Sequence, residues 1–226
     1  MPAPTDGHSA HPPAPAAFLT GALSIAVLAG SVQPPPAGPE ALLQDVAAHR
    51  ALYGVFASLV LAWSASAVVF AALLGTWLER VSRPLAAAGQ MLVSGGVLLL
   101  TFAMFTRTGA MLALASAGAA PGNAAAADQV RFWSDLSFYL TDPGLFAWGV
   151  GQVMLGWLSG RAGVLPRWVR AAGLIGGVAG VMTLAVYQTA VLALLQLVAF
   201  AAWTFGIGIT WRRSRLPAKG GGPGPA

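Results

Sequence analysis

From Ala171 to Trp211 the chain carries no Asp, Glu, Lys, Arg or His, and almost every residue is apolar. A bilayer crossing takes about twenty apolar residues, so this run is too long for one helix and suits two. We place the reversal near Tyr187-Gln188-Thr189, although no Gly or Pro marks it. Further apolar runs lie over residues 16–32, 51–77, 85–105 and 143–158. The expected fold is therefore all-α, a polytopic membrane helix bundle of six transmembrane helices. The ten-residue alternation of a transmembrane barrel is absent.

Composition agrees. The chain is 57% hydrophobic and only 8% charged, whereas a soluble domain carries about 25% charged residues to coat its surface. Its net charge of +5 comes from residues flanking apolar runs, which fits a membrane protein and not a nucleic-acid binder. The absence of cysteine excludes disulfides, thiolate metal sites and iron–sulfur clusters. The histidines are His8, His11 and His49. None lies in an apolar run, so a haem held between two transmembrane histidines is excluded, and no metal or cofactor is expected.

The basic residues set the orientation. Arg161, Arg167 and Arg170 lie between two apolar runs, with Trp157 and Trp168 beside them. Cytoplasmic loops of membrane proteins are rich in Lys and Arg. With this loop inside, Arg80, Arg83, Arg212, Arg213, Arg215 and Lys219 fall inside too. Both termini are then cytoplasmic, in a bacterial inner membrane, and the lipid bilayer is the first partner. Residues 1–15 read as a disordered Pro/Ala-rich tail, 16–212 as the membrane domain, and 213–226 as a flexible basic tail.

On the outer side, Pro39 suits the first turn of a short amphipathic helix with Leu42, Leu43, Val46 and Ala47 on its apolar face. A second surface helix is expected where Val130, Trp133, Leu136 and Leu140 recur at helical spacing, or else the aqueous start of a helix packing over the bundle. Asp142 before Pro143 reads as an N-cap opening the fourth span.

Three groups of residues could carry function. Within the spans lie Gln90, Gln152, Gln188, Gln196, Ser64, Ser66, Ser94 and Thr101, for which interhelical hydrogen bonding is the simplest role. Gln152, Gln188, Gln196 and Trp203 could line a site for a neutral small molecule or lipid. Trp63 and Trp203 fall near mid-span, where packing is expected and each indole N–H should find an acceptor. On the outer face, Asp45, His49, Arg131, Asp135, Tyr139 and Asp142 would have to converge to form an enzyme site. Ordinary helix faces and caps explain them better, and no catalytic residue is assigned. Finally, Gly173, Gly176, Gly177 and Gly180 form two overlapping small-xxx-small pairs suited to close helix packing.

No Asp, Glu, Lys, Arg or His falls within any expected span, which argues against an ion-coupled transporter. The expected function is a non-catalytic accessory or scaffolding membrane protein, with a protein partner or a second copy associating through helix packing. A binding or carrier protein for a neutral molecule is the alternative, and an outer-face enzyme the third.

The basic loop also carries a resemblance. Gly156-Trp157-Leu158, Gly163-Val164-Leu165-Pro166-Arg167-Trp168 and Gly173-Leu174-Ile175-Gly176 are similar to the text of uncharacterised six-span bacterial membrane proteins. These form a domain of unknown function, forty-three eighty-six in its series. The resemblance covers about Phe18 to Trp211, implies a six-helix bundle, and brings no established reaction.

Overall fold

The computed structural model describes residues 14–31, 38–117, 123–163, 165–186 and 190–214. Six helices account for them: α1 (Ala14–Ser31), α2 (Pro39–Ala48), α3 (Arg50–Ser116), α4 (Ala124–Arg161), α5 (Arg167–Ala185) and α6 (Ala190–Ser214). Three are long and apolar enough to cross a membrane: Arg50–Ser116, Arg167–Ala185 and Ala190–Arg212. A shorter apolar helix covers Ala14–Gly30.

The 67-residue α3 would run about 100 Å if straight. It is instead a hairpin. Ser82 leaves helical geometry at φ −161° and ψ 103°. Pro84, two residues on, has no N–H to continue the ladder, and its ring crowds the preceding turn. The two arms then run antiparallel. Arg50 Nη2 donates to the Ala115 carbonyl at 2.6 Å, the Ser64 and Thr101 hydroxyls bond at 2.6 Å, and Gly75 faces Gln90.

Glycine sets how closely the other helices approach. A Cβ added at Gly151 of α4 would lie 2.6 Å from the Gly89 carbonyl of α3, and one at Gly96 of α3 would lie 2.5 Å from the Gly144 carbonyl. Seven residues separate Gly144 from Gly151, which places both on one face of α4. Gly149 and Gly156, also seven apart, face Gly177 and Gly173 of α5. Thus α4 is the hub, with bare backbone against helices on two sides. It is absent from the helices of membrane-crossing hydropathy because its glycines and Gln152 lower its mean hydropathy. Gly144, Gly149, Gly151, Gly156 and Gln152 occupy positions that lipid contact would assign to larger apolar side chains.

The pairings fix the path. Phe18 meets Gly208, and Gly21 meets Phe205, so α1 is antiparallel to α6. The chain traverses the bundle six times: α1, both arms of α3, the second half of α4, α5 and α6. One end collects the α3 turn, the α4–α5 connection and the C-terminal end of α6. There Arg80 lies 4.2 Å over the Trp77 ring, Arg161 lies 4.4 Å over Trp157, and Trp77 packs edge-on to Trp211. The opposite end has a second apolar cluster in which Leu43 and Val46 of α2 pack with Met111, Ala115, Ala126 and Val130.

Two expectations need correction, the N-cap at Asp142 and the place of Ala47. Among the described residues the second outer segment takes the other form expected of it, the start of a longer helix: α4 starts at Ala124, capped by the Asn123 side chain accepting from Ala126 N, and continues through Pro143. Asp142 is consequently not an N-cap. Proline is tolerated here because the flanking segments are already held, Val130 and Trp133 in the outer cluster and Leu145 and Trp148 in the main core. On α2, Ala47 is exposed and only Leu43 and Val46 are buried. The division between the last two helices falls where the sequence placed it, α5 ending at Ala185 and α6 starting at Ala190. Tyr187, Gln188 and Thr189, His8 and His11, and the tails lie outside the described residues.

Candidate functional site

The interior of the bundle is built around aromatic rings from three helices. Trp148 of α4 meets Trp63 of α3 at 5.6 Å and Phe200 of α6 at 4.9 Å between ring centroids. Phe70 of α3 meets Phe200 at 6.2 Å and Trp203 at 5.7 Å. These contacts are largely edge-to-face, which places the positive ring edge against a negative face. On α6, Gln196, Phe200 and Trp203 are spaced by four and three residues and so share one stripe. On α4, Trp148 and Gln152 do the same.

This interior divides into two halves by hydrogen bonding. On the α1–α3 side most buried polar side chains have a partner, the Thr20 hydroxyl being the exception. Trp63 Nε1 donates to Ser24 Oγ at 2.9 Å, and Ser24 in turn donates to the Thr20 carbonyl at 2.8 Å. Ser64 and Thr101 join the two arms of α3.

On the α4–α5–α6 side the opposite holds. Gln152, Gln196 and Trp203 are 0% exposed. Both amide atoms of Gln152 lack a hydrogen-bond partner, as do Gln196 Oε1, Trp203 Nε1 and Trp148 Nε1. Gln196 makes one long bond, from Nε2 to the Leu145 carbonyl at 3.3 Å. A buried polar atom left unpaired costs about 1–3 kcal/mol. Each therefore calls for a partner, water or ligand.

All three side chains face the glycines of α5. A Cβ at Gly173 would lie 2.8 Å from Trp203 Nε1, one at Gly176 would lie 2.5 Å from Gln152 Nε2, and one at Gly180 would lie 2.5 Å from Gln196 Nε2. From Gly173 to Gly180 is about 10 Å of helix. The two overlapping small-xxx-small pairs accordingly do different things. Gly173 and Gly177 bring the backbones of α5 and α4 together, whereas Gly176 and Gly180 make room for two glutamine amides.

Of the residues singled out in sequence, Gln152, Gln196 and Trp203 therefore meet on one helix face, along with Gly173, Gly176, Gly177 and Gly180. Gln188 lies outside the described residues. Trp148 was not singled out, though its position four residues before Gln152 on α4 would have put it on the same stripe.

The outer-face residues are brought together only in part. Asp45 accepts from the Tyr53 hydroxyl at 2.6 Å and lies 3.0 Å from His49 Nδ1. The Tyr53 hydroxyl holds the Asp45 carboxyl below its ordinary range, with His49 acting in the same direction and burial opposing. Asp45, His49 and Tyr53 are four residues apart in succession, a stripe in which Tyr53 could have been recognised. Arg131 pairs instead with Asp128 at 3.2 Å. Asp135 and Tyr139 are exposed, and no hydrogen bond joins either to Asp45 or His49 among the described residues. Asp142 is half-buried, and burial pushes its carboxyl up. Among the described residues no three His, Cys, Asp or Glu side chains are grouped to hold a metal.

An all-helical bundle with three helices of membrane-crossing character and a polar layer at its centre defines the class. The chain matches the family described as Domain of unknown function (DUF4386) over residues 16–214, and it belongs to that family. No curated protein and no solved structure matches it.

Proposed function

We propose that the chain is a six-pass membrane protein, its basic end cytoplasmic, that binds a neutral small molecule or lipid inside the bundle. The observation that carries this reading is the set of unpaired groups on Gln152, Gln196 and Trp203 facing a single helix. No charged side chain accompanies them, which suits a neutral ligand, and a bacterial inner membrane suits the basic end. The accessory-subunit reading drew on the α5 glycines, and these are taken up within the bundle. An accessory role would have to use the outward faces of the helices.

Native mass spectrometry of gently solubilised protein tests the choice. A small stoichiometric adduct that disappears on Gln152→Leu supports binding. Added polypeptide mass would favour the accessory role, and bare protein in both forms would count against binding. Orientation is tested in the natural cysteine-free background. A Ser116→Cys variant should react with an impermeant maleimide from outside, and an Arg83→Cys variant should not.

A further inference from the structure

The binding reading leaves open what the ligand is and how it reaches groups that are packed shut. Resting on that reading, we propose that the α4–α5–α6 interface is the closed form of a site for a quinone-type headgroup, a neutral planar ring bearing carbonyl oxygens. It enters from the lipid as α5 moves outward.

The hydrogen-bonding inventory points to the class. Unpaired donors are the two N–H of the Gln152 amide and the indole N–H of Trp203, with that of Trp148 nearby. Gln196 adds an N–H beyond the one used on Leu145. Acceptors are the two glutamine oxygens, with two lone pairs each, so five N–H face four acceptor sites. The two indoles can only donate, and a ligand bearing carbonyl oxygens supplies what they lack; exchange of O and N at Gln152 leaves this count unchanged, and the Leu145 carbonyl fixes the amide of Gln196. Around these groups are the rings of Phe70, Trp148, Phe200 and Trp203. Aromatic edges and faces suit a planar ring. With no ionisable side chain in the set, an anionic or cationic ligand would be desolvated without a counter-charge.

The route follows from what holds α5 in place. It packs chiefly on α4 and α6. The middle of the face it turns to them is Gly173, Gly176, Gly177 and Gly180, so the side chains it withdraws on shifting are Val169 at its start and the small Ala179 and Thr183. Among the described residues no α5 side chain hydrogen-bonds to another helix, Thr183 bonding its own Gly180 carbonyl. The opposite face presents exposed Ile175, Val178 and Met182. At its start, Gly163 adopts φ +71° and Pro166 stands at the N-cap.

The test is a titration of intrinsic tryptophan emission in nanodiscs with a decyl-chain benzoquinone, and with the same headgroup lacking the tail. Saturable quenching is expected, with the tailed compound the tighter. Gln152→Leu and Gln196→Leu should each raise the midpoint about tenfold, the loss of one good hydrogen bond. Both variants are expected to fold, since each removes unpaired polar atoms. Backbone amides of α5 should change their hydrogen exchange on addition of quinone while those of α1 do not. Tight binding by the tailless headgroup alone would replace lipid uptake with uptake from water. Linear quenching, identical in wild type and both variants, would overturn the proposal. If that result accompanied a Gln152-dependent adduct in native mass spectrometry, the quinone class would fail and the binding reading would stand. If neither signal appeared, both would fall.

Discussion

Trp63 and Trp203 are the same side chain at similar depth in one aromatic core, yet one indole is satisfied and the other is not. Trp63 reaches Ser24 across the α1–α3 contact. Trp203 reaches only the bare surface of α5 at Gly173. In lipid no hydrophobic effect draws helices together, so close packing and interhelical hydrogen bonds must do so. The α1–α3 side uses both. The α4–α5–α6 side has one long interhelical bond, from Gln196 to the Leu145 carbonyl, and leaves Gln152, Gln196 Oε1 and Trp203 Nε1 unpaired. That difference is the basis of the binding role proposed for the α5 side.

The comparison can be broken most severely at the glycine contacts that both halves share through α4. Gly151→Val would push a branched side chain into the Gly89 carbonyl, and Gly177→Val would do the same to Gly149. Backbone cannot swing aside as a side chain can, so each should cost about 3 kcal/mol or more. Loss of the monodisperse particle on size exclusion would show it. Gly95→Val is the control: Gly95 is exposed with open space around it and should be tolerated.

Next in size is Ser24→Ala, which strands the Trp63 N–H in the core and should destabilise by about 1–3 kcal/mol. Gln152→Leu should act in the opposite direction, stabilising the ligand-free protein by a similar amount because it removes an unpaired amide. Thermal unfolding in detergent reads both signs. A destabilised Gln152→Leu would erase the distinction between the halves. A finer comparison sets Trp63→Phe against Trp203→Phe. The volume lost is the same, so the difference isolates the N–H, and Trp63→Phe should be the more damaging by about 1 kcal/mol.

The smallest effect lies outside the core, at Asp45. Its folded carboxyl ionises below the ordinary value of 3.8. The stabilisation it contributes is therefore complete above that value and is lost as pH falls through the lower folded pKa. Asp45→Asn should flatten the acid limb of a stability–pH profile by lowering the neutral plateau, with little change below the folded pKa. An unchanged acid limb would remove the Asp45–Tyr53 bond from the account.

Much of this architecture was legible because lipid imposes simple rules on sequence. The uncharged run over residues 171–211 gave two helices with the correct division, and Pro84 with the nearby basic residues gave the hairpin turn. The α4 helix was harder. Asp142-Pro143 has the local form of a helix start, and the same dipeptide can sit inside a helix whose two ends are anchored separately. That anchoring, through Val130 and Trp133 on α2 and α3, is a tertiary fact.

The candidate site was half legible. Gln152, Gln196 and Trp203 stood out as polar or amphipathic groups in apolar helices. That they converge on the same four glycines requires the rotation of three helices, which no local pattern encodes. For Asp135, Tyr139 and Asp142 the sequence pattern predicted only the same side as Asp45 and His49, and a shared side does not bring side chains together.

The most direct test of the central claim is thermal unfolding of a Gln152→Leu/Gln196→Leu double variant beside wild type, both stripped of bound small molecules by exhaustive detergent exchange. With the buried amides awaiting a partner, the stripped double variant should unfold at the higher temperature. Adding back a lipid extract of the source membrane should raise wild type and leave the variant unmoved. If instead the double variant unfolds at the lower temperature and the extract affects both alike, the glutamines are structural and the interior is not a binding site.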